Sequence, residues 1–301
     1  MTSSIEKAAQ RLEQLRKSGT PLPGDRPHPD ESALPLEALD AAHARPEAKT
    51  VHIDLTALGA SGYVTPNVRR SAMTEQYRVI KRPLLDNATG KGASVVANGN
   101  LIMVTSALPG EGKSFTAINL AMSLALELDH TVMLVDADVT HPSVMTKLGL
   151  PPAPGLLDVL REDGVSLADV LLRTNVEKLT LLPAGLAHQR ATELLASDAM
   201  TALVEDMGKR YSDRIIIFDS PPLLLTTEAR VLAAHMGQVV VVVQAEKTLQ
   251  SEVKYALSTI ESSPVKYMVL NQVRNHGLGA YGYGYDYGQM IGKSRSVGAA
   301  A

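Results

Sequence analysis

Three short runs in this chain of 301 residues carry side chains suited to holding and moving phosphate. The first is A-L-P-G-E-G-K-S, Ala107 to Ser114. An apolar run from Leu101 to Val104 precedes it and reads as a buried strand, and Gly112, Lys113 and Ser114 open a helix. A helix N-terminus offers unpaired backbone N–H groups and the positive end of a dipole, so this junction is built for phosphate. The second run, V-M-L-V-D-A-D, ends a strand with Asp136 and Asp138; the third, R-I-I-I-F-D-S-P-P, ends another with Asp219. In an open parallel sheet, ligands bind at the carboxyl ends of strands, so these acids should converge on the loop. An acid in such a place can equally cap the next helix.

The loop fits the P-loop spacing G-x-x-x-x-G-K-[ST], with Ala107 in place of the first Gly. In that pattern Lys113 reaches the β- and γ-phosphates and the Ser114 hydroxyl holds Mg²⁺. The nucleotide-binding set is then Ala107, Pro109, Gly110, Glu111, Gly112, Lys113, Ser114 and Phe115. Phosphoryl transfer needs the γ-phosphate held in line, its charge neutralised and a nucleophile oriented. Lys113 and Mg²⁺ supply the neutralisation, and Ser114, Asp136 and Asp219 are the metal-ligand candidates. Asp138 is free to accept the nucleophile's proton. That matters for a tyrosine, whose phenol has a reference pKa of about 10 and stays mostly neutral at pH 7.

The elements that must position these groups are regular from residue 99 onward. Apolar strand candidates are 100–105, 131–136, 178–182, 214–219, 238–244 and 265–270. Helical stretches lie between them at 113–128, 155–161, 166–173, 198–210, 226–235 and 248–262. Runs such as I-I-I-F and V-V-V-V-V do not alternate, so both sheet faces should be buried. Strands alternating with helices imply an α/β fold with a mostly parallel sheet covered on both sides. The organisation expected is an N-terminal helix and linker over 1–50, a P-loop domain over 51–273 and a tail over 274–301.

The totals exclude several classes. Net charge is −3, so no global basic field argues for nucleic acid. Cysteine is absent, which removes disulfides and thiolate chemistry and suits a reducing cytoplasm. No apolar run of about 18 residues suggests a membrane span, and the early charges do not read as a secretory signal. Ile5 to Lys17 keeps helical spacing on one narrow stripe, either a frayed solvated helix or a docking helix. Residues 18–50 hold six of the seventeen prolines and read as a flexible linker. V-H-I-D-L-T-A-L, 51–58, alternates briefly like a strand. Ser71 to Leu85 reads as a helix ended or bent by Pro83. On it, Glu75, Arg78 and Lys81 recur at three-residue steps, either as a solvated face with a local ion pair or as a subunit contact. Four of the nine tyrosines, Tyr281, Tyr283, Tyr285 and Tyr287, alternate with glycine or Asp286 in the tail. That pattern suits a sticky low-complexity segment, a stacking tail, or hydroxyls offered to an enzyme.

A-L-P-G-E-G-K-S, V-D-A-D and F-D-S-P-P together resemble the Walker A, A′ and B motifs of the bacterial tyrosine kinases. E-x-x-R-x-x-K at Glu75, Arg78 and Lys81 resembles their E-x-x-R-x-x-R oligomerisation motif, and the tyrosine cluster resembles their autophosphorylated C-terminus. L-P-A-G…E-L-L, 182–195, is similar to a family segment. S-I-E-K-A-A-Q-R-L-E-Q-L-R-K with V-T-P and I-K-R-P-L-L looks like the stand-alone autokinases of exosortase-associated exopolysaccharide loci. The resemblance implies MgATP-dependent phosphorylation of tail tyrosines in trans, within a homo-oligomeric ring for which an octamer is one size. It implies a separate inner-membrane polysaccharide co-polymerase (chain-length determinant) as activator, recruiting a cytoplasmic kinase to the membrane. A tyrosine phosphatase and control of exopolysaccharide synthesis or export complete the picture, with no nucleic-acid partner. Asn271, ending the last strand, would contact adenine as in related ATPases, or serve as a plain cap.

The chain departs from the family pattern after Asp138, where V-T-H-P, 139–142, replaces an Arg-rich L-R-R-P. Lys81 keeps charge but loses the planar guanidinium fork. Two other classes share these motifs. A septum-site or partition-type ATPase would carry a signature lysine where this chain has Leu108, and has no use for clustered tyrosines. A non-catalytic, ATP-bound adaptor would use the tail for interaction alone.

Overall fold

The computed structural model describes residues 49–67, 71–161, 164–211 and 213–274. The expected N-terminal helix, the linker up to residue 48 and all four tail tyrosines lie outside the described residues; Thr50, expected at the end of the linker, is already in a strand. In chain order the elements are β1 (Thr50–Val51), α1 (Leu55–Ala60), α2 (Ala72–Ala88), β2 (Leu101–Ser106), α3 (Lys113–Ala125), β3 (Thr131–Asp136), α4 (Val144–Lys147) and α5 (Leu156–Arg161). There follow α6 (Leu167–Val170), β4 (Leu172–Thr174), β5 (Leu179–Leu182), α7 (Ala191–Leu195), α8 (Asp198–Arg210), β6 (Arg214–Asp219), α9 (Glu228–Ala234), β7 (Gln238–Gln244), α10 (Gln250–Ser258) and β8 (Val265–Asn271).

The eight strands form one sheet in the order β1-β4-β5-β3-β6-β2-β7-β8. Every pairing is parallel except β4 with β5. Alternate residues of each central strand feed two cores. Ile102, Val104, Leu134, Ile217 and Val240 pack with Ile118, Ala121 and Leu124 of α3. Leu101, Met103, Met133, Phe218 and Val239 pack with Met200, Val204 and Met207 of α8 and Leu232 of α9. Both faces are therefore covered, as the non-alternating apolar runs require.

Two expectations are corrected and a third is narrowed. The stretch 51–58 is not a strand beyond Val51: Asp54 Oδ1 accepts from the backbone N–H of Thr56 and Ala57 and starts α1. Local capping outweighs a weak period-2 pattern. The expected helix over 166–173 stops at Val170, and Leu172 and Arg173 pair antiparallel with β5. Of the two outcomes expected at Pro83, an end or a bend, the first is ruled out, because α2 runs on to Ala88. Leu84 and Leu85, buried just beyond it, hold the chain in register, while the exposed Val79 marks the solvent side one turn earlier.

Sheet register builds the site. Asp136 and Asp219 are direct cross-strand partners at the carboxyl ends of β3 and β6, and Val104 of β2 pairs with Asp219 on its other side. The loop after β2 thus turns over a pair of carboxylates.

Candidate active site

The phosphate loop owes its shape to glycine and to internal braces. Gly110 and Gly112 take φ of +84° and +99°, values that L side chains rarely adopt. A Cβ on Gly112 would also meet the Asn271 Nδ2 at 2.1 Å. Asn271 Nδ2 donates to the Glu111 carbonyl at 2.8 Å, and Gln272 Nε2 to the Gly110 carbonyl at 3.3 Å. Glu111 is a brace: its buried carboxylate accepts from Leu108 N–H, from Gln244 N–H and from the Thr248 hydroxyl. Ala107 is buried in the core and offers backbone alone. Leu108 packs against the same core, so no cation occupies that position.

Lys113, at the first position of α3, stands 2.6 Å from Asp138 Oδ2 and 3.6 Å from Asp219 Oδ1. Burial pushes its ammonium pKa down, but Asp219 and Asp138 outweigh this and raise it, so Lys113 stays charged. Asp138 Oδ1 accepts from the Thr140 hydroxyl and from His141 N–H, so the T-H-P turn fixes the carboxylate. Asp136 combines both roles open to a strand-end acid. Its Oδ2 accepts from Ser143 and Val144 N–H at 3.0 Å, capping α4, while its Oδ1 is buried without a partner. Neither oxygen of the fully buried Asp219 has a hydrogen-bond partner. Burial, reinforced by Asp219, pushes the Asp136 carboxyl up to about 7. Burial likewise pushes Asp219 up to about 6, with Lys113 and the nearby Ser114 hydroxyl pulling the other way.

Unsatisfied buried carboxylate oxygens are costly unless a cation or proton meets them. Asp219, the open oxygen of Asp136 and the Ser114 hydroxyl fit a small hard divalent cation. Among the described residues no cluster of three or more His, Cys, Asp or Glu forms an all-protein metal cage. Mg²⁺ binds through one or two carboxylates plus phosphate and water, and Asp219 with the open oxygen of Asp136 offers two.

A cavity of about 800 Å³ opens beside Lys113, Ser114 and Asp138, while the buried Asp136 and Asp219 are not among the residues that border it. Pro109, Gly110, Gly112, Lys113, Ser114, Phe115 and Asp138 border it, all expected from sequence. Thr140, His141, Ser143, Lys147, Pro222, Leu225 and Thr226 border it too. Thr140 and His141 fall in the V-T-H-P run and Pro222 in F-D-S-P-P, which the sequence marked without a site role for these residues, whereas Ser143, Lys147, Leu225 and Thr226 carry no motif signal. Asn271 lies instead on a neighbouring groove of about 630 Å³, which shares Phe115 with the cavity and has α2 along one side. Glu75 and Arg78 form a half-exposed ion pair at 2.9 Å on α2. Lys81 is not with them: it is buried, donates to the Ser123 carbonyl at 2.6 Å and pairs with Glu127 at 2.8 Å.

The AAA domain family model AAA_31 matches residues 99–268, more than half of the chain. EpsB of Ralstonia nicotianae is 31% identical over 201 residues, which are 67% of this chain and 26% of EpsB, so the chain spans about a quarter of that relative. Tyrosine-protein kinase YwqD of Bacillus subtilis is 33% identical over 217 residues, 71% of this chain and 87% of YwqD. The crystal structure of the VpsO kinase domain superposes with a TM-score of 0.53 at 28% identity, covering 68% of this chain and 100% of that domain.

Proposed function

The chain belongs to the bacterial tyrosine kinase family, and on that premise we propose that it is an ATP-dependent protein-tyrosine autokinase. The observation that carries the proposal is the Lys113–Asp138 ion pair of 2.6 Å at the border of the cavity. A nucleotide seated in the loop competes for Lys113 and draws it onto phosphate. That releases Asp138 Oδ2, while Thr140 and His141 keep hold of Oδ1. The freed oxygen then accepts the phenol proton as the tyrosine oxygen bonds to the γ-phosphorus and the bond to ADP breaks. Ser114, Asp219 and Asp136 Oδ1 would hold Mg²⁺, which neutralises charge on the transferring group. Backbone N–H groups at the start of α3 bind the phosphates, and Asn271 with Phe115 borders the space open to the base.

The acceptors we propose are Tyr281, Tyr283, Tyr285 and Tyr287 of a second copy, presented in trans within a homo-oligomeric ring. Glu75 and Arg78 supply the ring contact; Lys81, being internal, holds their helix in place. An inner-membrane polysaccharide co-polymerase acts as activator and recruits the kinase from the cytoplasm, a phosphatase resets it, and the output is control of exopolysaccharide synthesis or export. Among the described residues no helix is long and apolar enough to cross a membrane.

The test is incubation with MgATP, with and without the cytoplasmic piece of a co-polymerase, followed by phosphotyrosine mapping by mass spectrometry. Tail labelling should appear and fall at least about a hundredfold in Lys113→Met. Deleting residues 281–287 should abolish it while ATP still binds. ATP hydrolysis with no phosphotyrosine, together with DNA or lipid binding, rejects the kinase in favour of a partition-type switch. ATP binding without turnover rejects it in favour of an adaptor.

A further inference from the structure

The cavity border holds one cation that the chemistry above does not use. Lys147, in the last turn of α4, borders the same cavity as Lys113. The two differ in burial and in partners. Lys113 lies deep and is engaged by Asp138 and Asp219. Lys147 is exposed and has no ion-pair partner among the described residues. A charge at the rim meets what enters from outside, whereas the phosphates are held on the floor by the loop. The same border carries Leu225, which is 63% exposed and gives an apolar surface suited to an aromatic ring, with the buried Pro222 behind the lining.

An extended segment that lays a phenol against Leu225 presents its neighbouring side chains toward other parts of the border. In residues 275–301 the sole acid is Asp286, placed between Tyr285 and Tyr287. We propose that Lys147 is a specificity residue for the acceptor, pairing with the carboxylate next to the target tyrosine, with Asp286 as its natural partner. The inference rests on the kinase function proposed above and adds which tyrosines the site prefers: Tyr285 and Tyr287 over Tyr281 and Tyr283.

The experiment uses the full chain with MgATP and synthetic peptides of residues 279–289 carrying Asp286, Asp286→Asn or Asp286→Lys. For the unaltered chain, kcat/KM on the Asp peptide should exceed that on the Asn peptide about fivefold, the size of a partly exposed ion pair. Lys147→Ala should bring the ratio near one, and Lys147→Glu should reverse the order and favour the Lys peptide. Lys147→Arg should restore the preference. If the unaltered chain labels all three peptides equally, the proposal is overturned while the kinase stands. It is also overturned if Lys147→Ala raises the KM for ATP and keeps the peptide ratio, which would assign Lys147 to the nucleotide. If no peptide and no tail tyrosine is labelled, the kinase function falls and this inference with it.

Discussion

Two lysines are drawn into this molecule next to acids, and they end in opposite states. Lys81 is fully answered: the Ser123 carbonyl at 2.6 Å and Glu127 at 2.8 Å use its charge, and its hydrogen bond holds the Glu127 carboxyl below the ordinary range. Lys113 faces more acid than it can answer. Asp138 takes it at 2.6 Å, and both oxygens of Asp219 and one of Asp136 are left without hydrogen-bond partners. A satisfied buried lysine ties α2 to the end of α3. An under-satisfied one is a place waiting for charge to arrive.

The contrast predicts separable defects. Lys81→Met should cost about 2 kcal/mol, because the Ser123 carbonyl lies in the last turn of α3 and loses its donor at the negative end of the helix dipole. Thermal unfolding should show this as a drop of roughly 4–8 °C in Tm, with the KM for ATP unmoved. A shifted KM and a steady Tm would break the division into structural and functional lysines.

A smaller effect concerns pH. Asp136, at about 7 when folded against an ordinary 3.8, binds its proton more tightly in the folded state, and Asp219 does likewise at about 6. Folding therefore takes up protons in this window, and these two groups lower stability as pH rises from about 4 toward 7. Without nucleotide, the urea midpoint should fall between pH 5.5 and 8. In Asp136→Asn that fall should shrink. An identical pH slope in the variant would show that the carboxylate is already neutralised by Lys113.

The smallest stability effect should come from Glu75→Ala with Arg78→Ala, within about 0.5 kcal/mol for an exposed helical pair. If the ring contact is real, sizing chromatography should nonetheless report smaller oligomers. An unchanged elution volume would remove the proposed contact.

The E-x-x-R-x-x-K helix shows how far sequence could be read. Steps of three residues turn about 300° each, so every step drifts about 60° around the axis. Glu75 and Arg78 remain neighbours in solvent, and Lys81 has rotated inward to α3. Spacing announced the helix, yet which side faces the core depended on where α3 lies. The same limit explains the misread ends. Strands β2, β3 and β5 to β8 stand within a residue or so of their apolar runs. Four-residue α4 and five-residue α7 left no periodic trace, and β4 was hidden in a stretch whose first half is helical.

By itself the sequence determined the chemistry on offer: a glycine-shaped loop with Lys113 and Ser114, acids at the ends of two strands, and tyrosines beyond the last strand. These are local facts, set by strand runs, by φ values open to glycine and by the helix start. Tertiary structure decided what each group is free to do. Register set Asp136 beside Asp219, the capping of α4 left Asp136 one open oxygen, and Asn271 came back across the sheet to lock the loop. Partners distant in sequence set charge and vacancy, because burial removes the water that would otherwise answer every polar atom alike.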